Sequence, residues 1–266
     1  MWAGNERGHS HVELAGLEGD VIALPSGSRQ GGDLYALFSC GADRVARIIL
    51  ADCTGHGFSA SGVAVHVHKL LHKFIDVRDT AALLGALNDE FTLTGQTPGT
   101  PLRLTTVVAA TFDRGTGEFN YAYAAHPRMM HWRSRESSWR TLSGLEGLPM
   151  GFVAGEFYSQ QCVRLDAGDL IVVVSDGVTE AQSPEGEQLR PEGLIELANL
   201  TLARLPNRPA LQDLGEALIT AIRHYHGGKE FEDDLTFLTL RRTSSIPDGA
   251  GIGESDLNQT SKASYL

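Results

Sequence analysis

The stretch Ile48-Ile-Leu-Ala-Asp-Cys-Thr-Gly-His-Gly57 decides how the chain is interpreted. The largely apolar run over 45–51 predicts a buried strand, and Asp52 follows at the point where that strand ends. Gly55 and Gly57 then allow a sharp turn. A carboxylate carried into a core by a buried strand is costly unless a positive group meets it. Because the turn contains no lysine or arginine, we expect a metal ion at Asp52.

The composition limits the classes of protein to which the chain can belong. Its 266 residues are 42% hydrophobic and 21% charged, which suits one large globular domain or two small ones. The net charge of −11 argues against nucleic acid and anionic membranes as partners. Three cysteines without CxxC spacing favour a reducing compartment. With no apolar run of about 18 residues and no signal peptide, we expect a cytoplasmic protein.

The hydrophobic pattern predicts strands and helices that do not alternate one by one. In chain order these are strands over 11–24, 31–40 and 45–51, helices over 57–76 and 80–93, strands over 104–112, 118–125, 128–133, 156–165 and 170–175, helices over 191–205 and 209–225, and a strand over 235–241. This order favours an α+β fold of antiparallel sheets with helices packed outside them. Residues 1–243 are expected to form the domain, and the polar residues 244–266 a disordered tail.

Aspartates recur where predicted strands begin or end, namely at Asp33, Asp52, Asp176 and the pair Asp233–Asp234. Carboxylates from distant parts of a chain can share a cation, and oxygen ligands select Mg²⁺ or Mn²⁺. Two such ions about 3.5–4 Å apart can activate water for attack on phosphorus. Each aspartate alone could simply cap a turn. Asp52 and Asp176 both follow apolar runs, however, and together they favour a shared metal site.

Seven short motifs occur in order along the chain, and together they resemble one family. The motifs are Gly31-Gly-Asp33, Asp52-Cys-Thr-Gly-His-Gly57, Ala124-Ala-His-Pro127, Leu148-Pro-Met-Gly151, Ala167-Gly-Asp169, Ser175-Asp-Gly-Val-Thr-Glu180 and Asp233-Asp-Leu-Thr236. The set resembles the bacterial PPM (PP2C-like) serine/threonine phosphatases, in the branch typified by SpoIIE and RsbU. The resemblance extends from about residue 11 to residue 242.

The resemblance implies a PP2C-like α-β-β-α sandwich that hydrolyses phosphoserine or phosphothreonine on proteins. It also implies two Mn²⁺ or Mg²⁺ ions. Asp52 would bridge both ions, the Cys53 carbonyl would add a backbone ligand, and Asp176 with Asp233 would hold one ion. Asp33 would support the other ion, directly or through water. Asp52 and Asp176 are thus the candidate catalytic residues, while Asp234 stays an alternative to Asp233.

The resemblance further implies a partner, a phosphorylated anti-sigma-factor antagonist with a STAS domain. No sensor or receiver domain is recognisable in the chain, so regulation is expected from a separate partner, from homodimerisation or from transcription. The chain departs from the usual pattern of the family at two positions. Ala36 stands where an acid is common, and Ala125 stands where the motif usually has glycine. Neither departure removes an expected metal ligand.

Four histidines and one glutamate are further candidates. His56 could donate a proton to the leaving oxygen, although packing in its loop or contact with a metal-bound water is the favoured interpretation. His126 is interpreted as structural. His68 and His72 have the spacing of a zinc-binding helix, but a lysine stands in place of the general-base glutamate, so an exposed face without zinc is favoured. Glu180 could orient a water near the metal.

Other functions remain open alongside the phosphatase. The same fold could serve as a partner-binding module with little turnover, or as a two-metal phosphodiesterase. A third resemblance, of Gly31-Gly-Asp33 to the hairpin of diguanylate cyclases, is disfavoured because Leu34 stands in place of the second acid. The retention of all the core acids favours the phosphatase.

Overall fold

The computed structural model describes residues 2–4, 7–26, 31–53, 58–94 and 102–243. The strands are β1 (Trp2–Gly4), β2 (Gly8–Leu14), β3 (Leu17–Leu24), β4 (Asp33–Cys40), β5 (Val45–Cys53), β6 (Thr105–Asp113), β7 (Glu118–Ala124), β8 (Met130–Arg133), β9 (Ser138–Thr141), β10 (Glu146–Gly147), β11 (Gln161–Arg164), β12 (Leu170–Val174) and β13 (Leu235–Arg242). The helices are α1 (Phe58–Lys73), α2 (Thr80–Thr94), α3 (Asp176–Thr179), α4 (Arg190–Leu202) and α5 (Leu211–Tyr225).

The strands form two mostly antiparallel sheets. The first sheet has the order β1-β4-β5-β6-β7-β10, with β11 also pairing with β7, and the second has the order β2-β3-β13-β12-β8-β9. Only the short β10 runs parallel to its neighbour β7. Some strands that are adjacent in space are distant in sequence, and in the second sheet residues 17–24 of β3 pair with residues 235–242 of β13.

Three hydrophobic clusters separate the layers. The first lies between the sheets and includes Leu37, Leu50 and Leu238. The second lies between the first sheet and the helices α1 and α2. The third lies between the second sheet and the helices α4 and α5. The order of layers is therefore helices, sheet, sheet, helices, and the predicted α+β sandwich is confirmed.

Strand β5 shows why the central stretch of sequence is so apolar. Ile48 and Leu50 lie in the cluster between the sheets, whereas Ile49 and Ala51 lie in the cluster beneath the helices. Because successive residues of a strand face opposite sides, a strand covered on both sides needs apolar residues at nearly every position. The same alternation directs Asp52 into the space between the sheets.

The structure corrects several element boundaries. The strand predicted over 11–24 belongs to a hairpin of β2 and β3 that turns at Ala15 and Gly16, where Gly16 has φ +70°. Only residues 161–164 of the strand predicted over 156–165 are extended, and the segment expected to be irregular contains β9 and β10. The proposed tail, 244–266, lies outside the described residues. None of the helices in the described ranges has the length and apolar character needed to cross a bilayer.

Candidate metal centre

The first sheet contributes Asp33 and Asp52 to the site. They are direct cross-strand partners on β4 and β5. Both point toward the second sheet, since Tyr35 and Leu50, two residues away on each strand, lie in the core between the sheets. Asp33 is only 5% exposed, and Asp52 is partly buried. Their positions at the ends of two paired strands place two carboxyl groups side by side at the edge of the sandwich.

The second sheet contributes Asp176 and Asp233. Strands β12 and β13 pair in antiparallel register, with Val174 opposite Phe237, so the segment that follows β12 and the segment that precedes β13 lie at the same edge of the sheet. Asp176 lies two residues after β12, and Asp233 lies two residues before β13. A Cβ atom at Gly177 would lie 2.1 Å from the carbonyl oxygen of Asp234. Glycine is therefore required next to Asp176 for the two segments to approach this closely.

These four aspartates, Asp33, Asp52, Asp176 and Asp233, are called the acid cluster below. Burial raises the pKa of Asp52 to about 9, and the charges of the other three members add to the rise. Burial also raises the pKa of Asp33 to about 8, assisted by the charge of Asp176 and of the neighbouring Asp234. The pKa of Asp176 is raised by burial and then by Asp233 and Glu180. Since Asp52 is affected by the charges of all three other members, the two sheets bring these acids within electrostatic reach of one another.

The residues of the acid cluster fit a hard divalent cation. All their side-chain donors are oxygens, which suits Mg²⁺ or Mn²⁺. Both carboxyl oxygens of Asp33 are buried, and although the side chains of Ser175 and Thr236 act to lower its pKa, neither oxygen accepts a hydrogen bond of good geometry. This arrangement costs free energy unless another group approaches. Within the described ranges, no three histidine, cysteine, aspartate or glutamate side chains already stand close enough to hold one ion together. Binding an ion would therefore have to draw these carboxylates inward.

Cys53 presents only its backbone to the site. Its thiol is buried in the cluster beneath the helices, on the opposite face of β5 from Asp52. Burial raises the pKa of this thiol far above its usual range, so a thiolate ligand is disfavoured. The carbonyl oxygen is the one group of Cys53 that suits the expected ligand set.

The sequence left open whether Asp233 or Asp234 is the metal ligand, and the structure gives the two residues different positions. Its carboxylate accepts backbone hydrogen bonds from Ser26, at 2.8 Å, and from Gly32. A Cβ atom at Gly31 would lie 2.2 Å from the same carboxylate. Asp234 thus anchors the segment that precedes Asp33, and Asp233 is the exposed member of the pair that acts on Asp52 and Asp176. Sequence reasoning missed this anchoring role of Asp234. The signal for it was the glycine pair Gly31–Gly32, which leaves room for the carboxylate.

Histidine 126 lies beneath the acid cluster rather than in it. It is 2% exposed, and its Nδ1 is 2.8 Å from the hydroxyl of Thr106, the cross-strand partner of Asp52. Burial lowers the pKa of His126 to about 3, so the ring is neutral at physiological pH. Ala125, just before it, has φ +53°, a conformation that favours glycine. These contacts agree with a structural histidine.

Glu180 and three histidines are the other candidate residues from the sequence. Glu180 lies close enough to raise the pKa of Asp176. His68 and His72 lie on the wet side of α1 with their Nε2 atoms 2.9 Å apart. His56 lies outside the described residues. The four side-chain ligands expected from the sequence lie near enough for the other three to raise the pKa of Asp52, although no three of them stand within reach of a single ion.

An open groove of about 620 Å³ leads away from the acid cluster. Asp176, Thr179 and Glu180 line one side of it, and His126 and Arg128 line the other. Arg128 is held by an ion pair with Glu146, whose Oε1 lies 2.6 Å from its Nε. The groove is large enough for a peptide segment to approach Asp176 from solvent.

Comparisons with known proteins agree with this geometry. A family model described as Stage II sporulation protein E (SpoIIE) matches residues 42–243. Phosphoserine phosphatase RsbU of Bacillus subtilis is 31% identical over 139 residues, which are 52% of this chain and 38% of RsbU. The chain thus spans less than half the length of this curated relative.

Solved structures share the fold at low sequence identity. The RsbU and RsbW domains of Rv1364c from Mycobacterium tuberculosis match with a TM-score of 0.72 and 22% identity, over 93% of this chain and 65% of that one. The SiaA-PP2C domain of Pseudomonas aeruginosa matches with a TM-score of 0.69 and 21% identity, over 84% of each chain. RsbX, solved in complex with magnesium, matches with a TM-score of 0.61 and 14% identity, over 88% of this chain and 99% of that one. The predicted PP2C-like fold is confirmed, and the family model, which covers more than half of the sequence, shows that the chain belongs to the SpoIIE family.

Proposed function

We propose that this chain is a metal-dependent phosphatase acting on phosphoserine or phosphothreonine in a partner protein. The observation that carries the proposal is the acid cluster, in which two paired strands of each sheet deliver aspartates to one edge of the sandwich. Acids that merely capped turns would not need to be joined electrostatically across two sheets. The similarity to RsbU, whose name describes a phosphoserine phosphatase, supports the same activity.

Two Mg²⁺ or Mn²⁺ ions are the proposed cofactors, and they would supply the Lewis acidity for attack of water on phosphorus. Asp52, whose pKa is raised by the charges of the other three members of the acid cluster, would contact both ions. Asp176 and Asp233 would hold one ion, and Asp33 would support the other. The Cys53 carbonyl would add a backbone ligand. Asp52 and Asp176 are the proposed catalytic residues, and the magnesium complex of RsbX supports a hard cation in this fold.

The proposed substrate is a phosphorylated STAS-domain anti-sigma-factor antagonist. The groove beside Asp176 is lined by Arg128 and Glu180, side chains that can contact the residues around a phosphoserine. The Mycobacterium tuberculosis structure contains an RsbU domain and an RsbW domain in one chain, which supports a place in partner switching. A cytoplasmic location and control by a partner or by homodimerisation belong to the same proposal.

The test is release of phosphate from a phosphoserine protein, with Mn²⁺ and with EDTA. We expect activity only with the metal, and a loss of at least about 100-fold in Asp52→Asn and Asp176→Asn, because removing a group that stabilises the transition state costs this much. Asp213→Asn on α5, the same substitution at an exposed site, is the matched control. Full activity in both cluster variants, or full activity in EDTA, would refute the assignment.

Two measurements separate this function from its alternatives. A partner-binding module with little turnover should not bind Mn²⁺ tightly in isothermal titration calorimetry. A two-metal phosphodiesterase should hydrolyse bis-p-nitrophenyl phosphate faster than p-nitrophenyl phosphate. For a phosphomonoesterase we expect the opposite preference together with measurable binding of Mn²⁺.

A further inference from the structure

A second cavity, of about 550 Å³, lies at the opposite end of strands β12 and β13 from the acid cluster. Leu170 begins β12 and faces this cavity, and its cross-strand partner Arg241 lies near the end of β13. Asp176 and Asp233 lie at the other ends of these two strands. The five residues of β12 separate the two sites by about 16 Å, since a strand rises about 3.3 Å per residue.

One wall of this cavity is apolar and partly open to water. It is formed by Trp132 from β8 and by Leu202 and Leu205 at the end of α4. Each of these side chains packs against the cluster beneath the second sheet but stays partly exposed. The Trp132 ring also contacts Trp139, with the ring centroids 5.3 Å apart, which fixes its orientation. A rigid apolar wall of this kind suits the body of a small ligand.

The other wall carries two guanidinium groups. Arg241 is 12% exposed; it donates to the carbonyl of Pro209 and pairs with Glu18 at 3.4 Å. Burial lowers the pKa of Arg241, and the nearby charge of Arg208 acts in the same direction. Within the described part of the chain, the Arg208 side chain forms no hydrogen bond and no ion pair. Glu18 therefore balances one of the two positive charges, and Arg208 stays unbalanced on a chain whose net charge is −11.

The backbone of Arg208 is also held in an unfavourable conformation. Its φ is +57°, in the left-handed region that residues other than glycine rarely adopt. Such conformations cost free energy, and they are frequent in ligand clamps. Arg208 therefore combines an unusual backbone conformation with a guanidinium that lines a cavity with an apolar wall.

We propose that this cavity binds a small amphipathic anion, an aromatic acid whose ring lies against Trp132 and whose carboxylate or sulfonate pairs with Arg208. The volume of the cavity lies in the usual range of small-molecule sites, about 300–1,000 Å³. Arginine binds planar anions through two parallel hydrogen bonds, which gives both affinity and orientation. The proposal does not depend on the phosphatase activity, because it concerns a separate site.

The test uses two fluorescent probes with the full chain. 1-Anilinonaphthalene-8-sulfonate carries the aromatic body and the anion, and N-phenyl-1-naphthylamine has the same ring system without the charge. We expect the sulfonate to bind at least about tenfold more tightly than the neutral probe, since a charge-assisted hydrogen bond contributes about 1.5–3 kcal/mol. Equal affinity of the two probes would overturn the proposal.

Substitutions at two arginines test whether the sulfonate probe binds in this cavity. Arg208→Ala should weaken sulfonate binding about tenfold, and Arg208→Lys should keep part of the affinity because it keeps the charge. Arg204→Ala is the matched control, since Arg204 is also exposed but lines a different groove. Circular dichroism establishes that each variant is folded. If Arg208→Ala and Arg204→Ala change the affinity equally, the probe binds elsewhere and the site is refuted.

Discussion

Alanine 125 shows at the scale of one residue how the backbone supports the acid cluster. Its φ of +53° costs more for alanine than for glycine. We expect Ala125→Gly to stabilise the protein by about 0.5–1 kcal/mol, which would raise the melting temperature by about 1–4 °C. Ala221→Gly within α5 is the control, and it should lose about 1 kcal/mol because glycine weakens a helix. Equal losses in both variants would contradict strain at Ala125.

Single residues also mark the limit of what the sequence can predict. Asp52 and Asp176 were identifiable because each follows an apolar run that had to be a strand. The choice between Asp233 and Asp234 could not be made in this way. It depends on the Ser26 and Gly32 N–H groups, which come from a segment about two hundred positions away and reach Asp234 only in the folded chain.

At the scale of elements, the junction between α3 and β13 controls the distance between Asp176 and Asp233. We expect Gly177→Ala to force this junction apart, because the new Cβ would lie 2.1 Å from a backbone oxygen. The variant should lose most of its metal-dependent activity and bind Mn²⁺ at least about tenfold more weakly, as loss of groups that orient metal ligands typically does. Calorimetric titration with Mn²⁺ measures the change in affinity.

A glycine on a helix provides the control for this junction. A Cβ at Gly85 in α2 would meet nothing within 4 Å. Gly85→Ala should therefore keep normal activity and gain about 1 kcal/mol of stability, the usual difference between the two residues in a helix. Normal Mn²⁺ binding by Gly177→Ala would show that this close approach does not position the site.

The helices and strands could be predicted from the sequence where burial determines the spacing of apolar residues. The apolar run before Asp52 and the helical spacing in α2 and α5 each reflect the layers that cover them. The turn at Ala15 and Gly16 was missed because the apolar residues over 11–24 alternate only loosely, and their shift from even positions (Val12, Leu14) to odd positions (Leu17, Val21) was not recognised as a break. Such a turn depends on a backbone conformation, φ +70° at Gly16, that the hydrophobic pattern does not record.

At the scale of the whole molecule, burial and mutual repulsion disfavour the charged forms of the acid cluster, and a divalent ion would favour them. An aspartate in an unfolded chain has a pKa of about 4, whereas Asp33 and Asp52 in the folded protein have pKa values of about 8 and 9. Between these values the folded state binds more protons than the unfolded state. Without metal, therefore, the contribution of these groups to stability is fully present below about pH 4 and is lost as the pH rises through 8 to 9.

This linkage predicts opposite effects of pH without and with metal. In EDTA the melting temperature should fall between pH 6 and pH 8.5, and the fall should be smaller in Asp52→Asn, which lacks one of the titrating carboxyls. Saturating Mg²⁺ should restore the melting temperature, because the ion takes the place of the protons on the carboxyl groups. At about 100 times the dissociation constant the gain is about 2.7 kcal/mol, or about 5–10 °C, and it should be larger at pH 8.5 than at pH 6. Scanning calorimetry of both proteins measures these shifts, and an equal Mg²⁺ effect at the two pH values would show that the cluster does not exchange protons for metal.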